Sequence, residues 1–454
     1  MKLHPPQVEL NLYEDGFGTD DLLGRRSSGR QLSELLERIE DPVVLALDGP
    51  WGSGKTHFLR RWVGAHSSEN GGHATTVYFD AFSNDYLDDP LIGLTGAIGE
   101  RLPSNPKKNH WKKAKTVAFK LARPALRIGA AAATSGLTEV TGPVLDAIIE
   151  TGGKEMENAA EAFWKREDGR RAAMHQFREA LKQITSSSDS DETKPLIVVI
   201  DELDRCRPDY ALSVLEVVKH FFAVPRVHFV LGVNLEALAH IVRTRYGVGV
   251  DANDYLKRFI TISMQLPNFV EGQEGKRPEL KYFERSAEHM GIEKGLSDVA
   301  KNQLDLAVGS AKISLRDVER ILTRLALLPK RNEIGNFLWG WKELIVSLVL
   351  LQVMRPTLFE AAFGGTIKVA DINDFYGISP EISHEARGSG KYSYYAYLIH
   401  GLWSFVLNTG KFSDKDREQF SKAFDQFGLR ETDQILSRLQ RDFFSTFEIL
   451  AETH

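Results

Sequence analysis

The sequence predicts an α/β fold: a parallel sheet with helices on both faces, a helical insertion within it and a helical part after it. Three observations predict this. Short apolar runs bounded by turn residues recur at wide intervals. Helical patterns separate most of them, which is the arrangement of a parallel sheet covered on both faces. Strand signals then fade beyond about residue 270. The chain has 454 residues, enough for two or three domains with buried cores. A net charge of -5 excludes a globally basic nucleic-acid binder and leaves only a local patch for such contact. The single cysteine, Cys206, excludes an internal disulfide framework and a Cys-rich zinc site. It reads as a small core residue and fits a reducing cytoplasm.

Residues 1–40 read as a polar entry segment ending in a helix, with Leu32, Leu35, Leu36 and Ile39 at helical spacing. Their start has no basic region followed by an apolar stretch, so no secretory signal is expected. Residues 41–270 carry the sheet. Val43–Leu47 is a short apolar run between Asp41-Pro42 and Gly49-Pro50, a buried strand. Thr76–Phe79, Leu196–Ile200, Val227–Val233 and Phe259–Leu266 follow as four more. Residues 101–168 separate the second strand from the third as a helical insertion, and the polar run 186–194 reads as an exposed loop. Residues 271–365 are expected to form a helical lid, and 366–454 a helical C-terminal region.

The first strand runs into Gly49-Pro50-Trp51-Gly52-Ser53-Gly54-Lys55-Thr56, and a helix pattern (Phe58, Leu59, Trp62, Val63) begins at once. This is GxxxxGK[ST] between strand and helix, the context that a phosphate-binding P-loop requires. Glycines let successive N–H groups curl around one anion, and the helix N-terminus faces the same charge. Lys55 is placed for β- and γ-phosphates and the Thr56 hydroxyl for Mg²⁺, with His57 following in the same first turn. Asp201 and Glu202 end the run Leu196–Ile200, at the strand end where an open α/β sheet binds ligand. Asp201 is the candidate for Mg²⁺ and Glu202 for polarising the attacking water, with Asp204 in reach of either task. The plainer reading is an acidic cluster capping the helix that follows. Asn234 ends the fourth strand, either contacting the γ-phosphate or lytic water, or capping the next helix.

Together these pieces resemble the KAP family of P-loop NTPases, a STAND-like branch of the additional-strand class, over roughly residues 18–365. Asp21-Leu22-Leu23-Gly24-Arg25 looks like the family's entry motif, which implies that Leu23, Gly24 and Arg25 lie near the base. The loop has the family's Trp-Gly before Ser-Gly-Lys-Thr. Phe79-Asp80-Ala81-Phe82 matches the stretch after its second strand, where the family prefers Asn and Trp at the positions of Asp80 and Phe82. Ile200-Asp201-Glu202-Leu203-Asp204-Arg205-Cys206 is close to its IDDLDRC signature. Ser314-Leu315-Arg316 sits where it often has Asn-Pro-Arg, and Leu344–Pro356 resembles its apolar helix ending in Arg-Pro. The resemblance implies a cradle strand beside the sensor strand, a helical lid and ATP as the nucleotide. It also implies a role in bacterial defence against phage or mobile elements, with a partner effector.

Arg316 lies off the apolar face formed by Leu315, Val318, Ile321, Leu322 and Leu325. It reads as a lid arginine at the phosphates or as a solvated one. Arg205, Arg207 and Arg258 are further candidates for a charge-neutralising finger. KAP relatives often carry membrane spans where this chain has its insertion, and a span needs about 20 apolar residues. Val117–Leu137 contains Lys120, Arg123 and Arg127, each costing about 3 kcal/mol at mid-bilayer. Ile128–Ile149 contains Glu139, Thr141, Pro143 and Asp146. The insertion is therefore expected to be soluble, with membrane contact the minor alternative. From Lys107 to Arg127 it has eight bases and no acid, a patch for nucleic acid, an acidic protein or an anionic surface, or a solvated face. The aromatic run Lys391–Phe405 reads as an interface or a helical core.

The leading expectation is a cytoplasmic, Mg-dependent ATP-hydrolysing switch acting on a protein partner or a second copy. The alternatives are a non-hydrolysing nucleotide-gated scaffold and a nucleic-acid-stimulated ATPase using the basic insertion.

Overall fold

A computed structural model describes residues 10–102 (apart from 19, 20, 22 and 88), 172–185 (apart from 173), 194–267, 277–329 (apart from 309–312), 334–379 (apart from 335), 391–425 (apart from 411) and 433–445. They fall into two compact units, Leu10–Asp21 with Arg25–Pro267, and Leu22–Gly24 with the chain from Asn268 onward. Most of the insertion expected over 101–168, including Lys107–Arg127, lies outside the described residues, as does most of the loop 186–194.

The first unit is built on five parallel strands, β1 (Val43–Asp48), β2 (Thr75–Asp80), β3 (Leu196–Asp201), β4 (Val227–Val233) and β5 (Ile262–Gln265), in the order β2-β3-β4-β1-β5. β3 and β4 are buried at every residue and lie inside the sheet, covered on both faces. The short β5 alternates between half-buried and exposed and forms one edge. The first and third strands run one residue beyond the predicted apolar runs, to Asp48 and Asp201, because the ladder continues through Asp48↔Val233 and Asp201↔Gly232.

Residues alternate between two cores, one on each face of the sheet. Val198 and Ile200 pack with α3 (Pro90–Arg101), a helical stretch 174–185, α4 (Pro208–Phe221) and α5 (Leu235–Tyr246). Ile197 and Val199 pack with α1 (Arg26–Arg38) and α2 (Lys55–Ser68). Asp201, two residues beyond Val199, therefore belongs to the face that α2 covers. The fully buried Trp62 and His66 tie α1 to α2: Trp62 Nε1 donates to the Gly29 carbonyl at 3.0 Å, and His66 meets Ser33 and Glu37, each at 3.0 Å. A short helix, α6 (Ala252–Leu256), precedes β5.

The second unit is all helical in its described residues: α7 (Pro278–Met290), α8 (Lys294–Val308), α9 (Leu315–Leu327), α10 (Trp339–Met354), α11 (Pro356–Phe363), α12 (Val369–Tyr376), α13 (Lys391–Val406), α14 (Asp414–Lys422) and α15 (Asp433–Leu439), which continues as a π-helical turn Gln440–Phe444. One core runs through it from Leu280 to Phe444. Its centre is α10, where Leu344, Ile345, Val346, Leu348, Val349, Leu350 and Leu351 are all buried, as an apolar helix requires. The aromatic run on α13 contributes Trp403 to this core, fully buried. No described helix is long and apolar enough to cross a membrane.

Candidate functional site

The loop after β1 is shaped by two glycines with positive φ, Gly52 (83°) and Gly54 (86°), a conformation that a side chain would oppose. Gly54 stands at the N-cap of α2 with no side chain capping it. The first N–H groups of the helix therefore remain donors, the arrangement that receives an anion. Ser53 Oγ is buried and finds no partner among the described residues. Lys55 and Thr56 open α2. The Lys55 side chain is buried and folds back, its Nζ donating to the Gly49 carbonyl at 2.5 Å and the Pro50 carbonyl at 3.1 Å. Burial pulls the ammonium below its ordinary range, opposed by the carboxylates of Asp204, Asp201 and Asp48.

The strand tip meets the loop at Asp201. This side chain is 1% exposed and accepts from the Thr56 hydroxyl, from Tyr78 Oη at 2.9 Å and from the Glu202 N–H at 2.9 Å. Burial pushes its carboxyl up to about 6, against these three donors. The close fit extends to β4, where a Cβ on Gly232 would stand 2.3 Å from Asp201 Oδ1.

Glu202 turns the chain away from the sheet. It holds a left-handed conformation, φ 60° and ψ 26°, which costs about 1 kcal/mol or more for a residue with a side chain. The turn persists because its N–H also reaches the Gly232 carbonyl at 3.2 Å, while its own carbonyl accepts from the Arg205 N–H at 3.1 Å. A short 3₁₀ turn, Leu203–Arg205, follows. Asp204 Oδ2 accepts from Trp51 Nε1 at 2.6 Å, and Arg205 pairs with Glu202 at 3.0 Å.

Asn234 is the N-cap of α5, its Oδ1 accepting from the N–H groups of Glu236 at 3.1 Å and Ala237 at 3.3 Å. That is the capping reading, and it leaves the amide NH₂ as the end available to a phosphate. His57 is exposed and its Nε2 accepts from Arg61 Nε at 3.1 Å. Arg25 is buried and donates to the Pro267 carbonyl beyond β5. Leu23 and Gly24 group with the second unit, as does Arg316, which is exposed in the first turn of α9. Ser314 caps that helix, with the Asp317 N–H donating to its Oγ at 3.2 Å and its own N–H donating back to Asp317 at 3.0 Å. Arg207 pairs with Asp85 at 2.6 Å, and Arg258 lies over the Tyr255 ring at 5.8 Å. Cys206 is buried, and burial pushes its thiol well above the usual range.

The structure thus joins Lys55, Thr56, Asp201 and Glu202 around one loop and one strand tip. It adds residues that the sequence reading left aside. Tyr78 is one, and its signal is only a tyrosine between Val77 and Phe79 in a short strand. Asp48 is another, holding the Leu235 N–H at 2.9 Å and Gln265 Nε2 at 3.1 Å. Its place just before the first loop glycine was the available hint.

A family model described as the KAP family P-loop domain matches residues 26–330. No curated protein sequence matches the chain. Among solved structures, the chain is similar to the Aeropyrum pernix ORC2 protein in its ADPNP–ADP complexes (12% identity, 96% of each chain covered, TM-score 0.36). It is also similar to Cdc6p from Pyrobaculum aerophilum (12% identity, 96% of this chain and 98% of that one, TM-score 0.37). A third is RuvB from Thermotoga maritima (13% identity, 91% and 99% covered, TM-score 0.25).

Proposed function

The chain belongs to the KAP family of P-loop NTPases, and on that premise we propose that it is an ATP-driven switch that binds Mg·ATP at Gly49–Thr56 and hydrolyses it with Asp201 and Glu202. One observation carries this reading: the phosphate loop meets the acidic turn, with Trp51 Nε1 donating to Asp204 at 2.6 Å and the Thr56 hydroxyl opposing the rise of the Asp201 carboxyl. Thr56 and Asp201 offer the oxygen donors that a small hard cation prefers, and they would hold Mg²⁺. Held there, the ion would supply positive charge that offsets the charge of the phosphates. Ser53 Oγ, without a partner among the described residues, and the uncapped N–H groups of α2 suit an anion beside it. Lys55 exchanges its two loop carbonyls for the β- and γ-phosphates. Glu202 orients and deprotonates the attacking water, and the Asn234 amide faces the γ-phosphate.

Residues 271–365 serve in this reading as the lid, with Arg316 its contact to the phosphates, and 366–454 as the C-terminal region. A protein effector, and a role in defence against phage, follow from family resemblance; co-purification from the native host tests them. Lys55→Ala should abolish the rise in Tm that Mg·ATP gives the wild type. Glu202→Gln should keep that rise while phosphate release falls about 100-fold or more. Arg316→Ala should slow release with binding retained. Normal turnover by the Lys55→Ala protein would sink the assignment.

The Glu202–Arg205 ion pair at 3.0 Å favours a second reading, a nucleotide-gated scaffold in which Glu202 serves only to pair. A wild type that gains Tm with Mg·ATP but releases no phosphate would decide for it.

A further inference from the structure

Four observations converge on Arg205. Its guanidinium takes the Glu202 carboxylate at 3.0 Å, with side-chain exposures of 29% and 16%, so the pair is partly shielded from competing water. The pairing follows from the backbone, because residues three apart eclipse on a 3₁₀ turn, and Glu202 and Arg205 are joined by the Arg205 N–H to Glu202 carbonyl bond at 3.1 Å. The charge of Arg205 also lowers the Lys55 ammonium, so the guanidinium acts on the same loop. Finally, the same turn grips the loop, since Asp204 holds Trp51 Nε1 at 2.6 Å.

We propose that Arg205 is a positioning residue that restrains Glu202, so that the pair must open before bound ATP is hydrolysed. The inference deepens the hydrolase reading and rests on it. A carboxylate held by a guanidinium has its lone pairs engaged and is a poor acceptor for a water proton. Once released, Glu202 takes that proton as the water oxygen bonds to the γ-phosphorus. The bond from the γ-phosphorus to its bridging oxygen breaks, and ADP leaves with the electron pair. Loading can drive the release, because a triphosphate that moves Trp51 pulls on the turn that carries Arg205. The arrangement keeps the empty or half-assembled site slow, as a switch requires.

Steady-state phosphate release at saturating Mg·ATP tests this, with Tm as the check on folding. Arg205→Ala should raise kcat about tenfold, equivalent to ~1.4 kcal/mol, with KM for ATP unchanged. Arg205→Met keeps the aliphatic stem and should do the same, so the measurement stands if the alanine protein does not fold. Arg205→Lys, which keeps a charge, should bring the rate back toward wild type. A kcat unchanged or lowered in both the alanine and methionine proteins overturns the inference, and a lowered one assigns Arg205 to the phosphates instead. Glu202→Gln, alone and combined with Arg205→Ala, separates the two levels. Inactive in both, it leaves the hydrolase reading standing whatever Arg205 does; active alone, it removes that reading and the restraint with it.

Discussion

Asp201 is a carboxylate taken out of water, and its neighbours decide the state it holds. Burial pushes it up to about 6, while Thr56, Tyr78 and the Glu202 N–H oppose that rise. Each donor favours the ionised form, which is the form that binds a cation. Tyr78→Phe removes one of them, so Asp201 titrates higher and Mg·ATP binding should fail at a higher pH than in the wild type. The rise in Tm given by Mg·ATP, followed from pH 8 downward, checks this; an unmoved midpoint would show that Tyr78 does not govern the carboxylate. The sequence made Lys55, Thr56, Asp201 and Glu202 legible because their chemistry is written in short, local spacing. Tyr78 was not legible, since its role depends on β2 lying beside β3 in the register Tyr78↔Val199. The capping use of Asn234 was legible as one of two readings, since an Asn before a helix pattern announces a cap whatever else it does.

Among the elements, α10 carries the plainest conflict between burial and charge. Glu343 accepts from Gln303 Nε2 on α8 at 2.7 Å and from Tyr395 Oη on α13 at 2.5 Å. Gln303 Oε1 in turn accepts from Ser347 on α10 at 2.9 Å and Tyr376 on α12 at 2.6 Å. Burial pushes Glu343 from 4.5 up to about 7, against the Tyr395 and Gln303 donors and Lys342. Folding here favours the protonated acid, so the group's contribution is fully present below pH 4.5 and is lost as pH rises through about 7. At 1.36 kcal/mol per pKa unit the change is on the order of 3 kcal/mol. Glu343→Gln should flatten the fall in stability between those limits in denaturant titrations; a variant that keeps the wild-type slope would exclude Glu343 as its source. Element boundaries were legible where composition is abrupt. The predicted strand Phe259–Leu266 shortens to β5, Ile262–Gln265, because the Phe259 N–H is taken by the Leu256 carbonyl at 2.9 Å in the turn after α6. The aromatic run on α13 read as an interface or a helical core, and packing places Trp403 in the core.

At the scale of the molecule, Gly49–Thr56, Asp201 and Glu202 all belong to the α/β unit, whereas Leu23, Gly24 and Arg316 group with the helical one. The alternation of strands and helices made the sheet legible. The placing of β1 beside β4 came from family resemblance, because apolar runs state that strands pair and not which neighbours they choose. Within the described residues Trp62, Trp341 and Trp403 are buried, whereas Trp51 is 50% exposed on the phosphate loop. Its indole N–H rests on the Asp204 carboxylate, so a ligand bound at this loop should change its surroundings. The chain therefore carries an intrinsic fluorophore that reports occupancy without a label. Titration with Mg·ATP should shift the emission of the wild type and leave that of Trp51→Phe unmoved, and equal spectral changes in both would assign the signal to another indole.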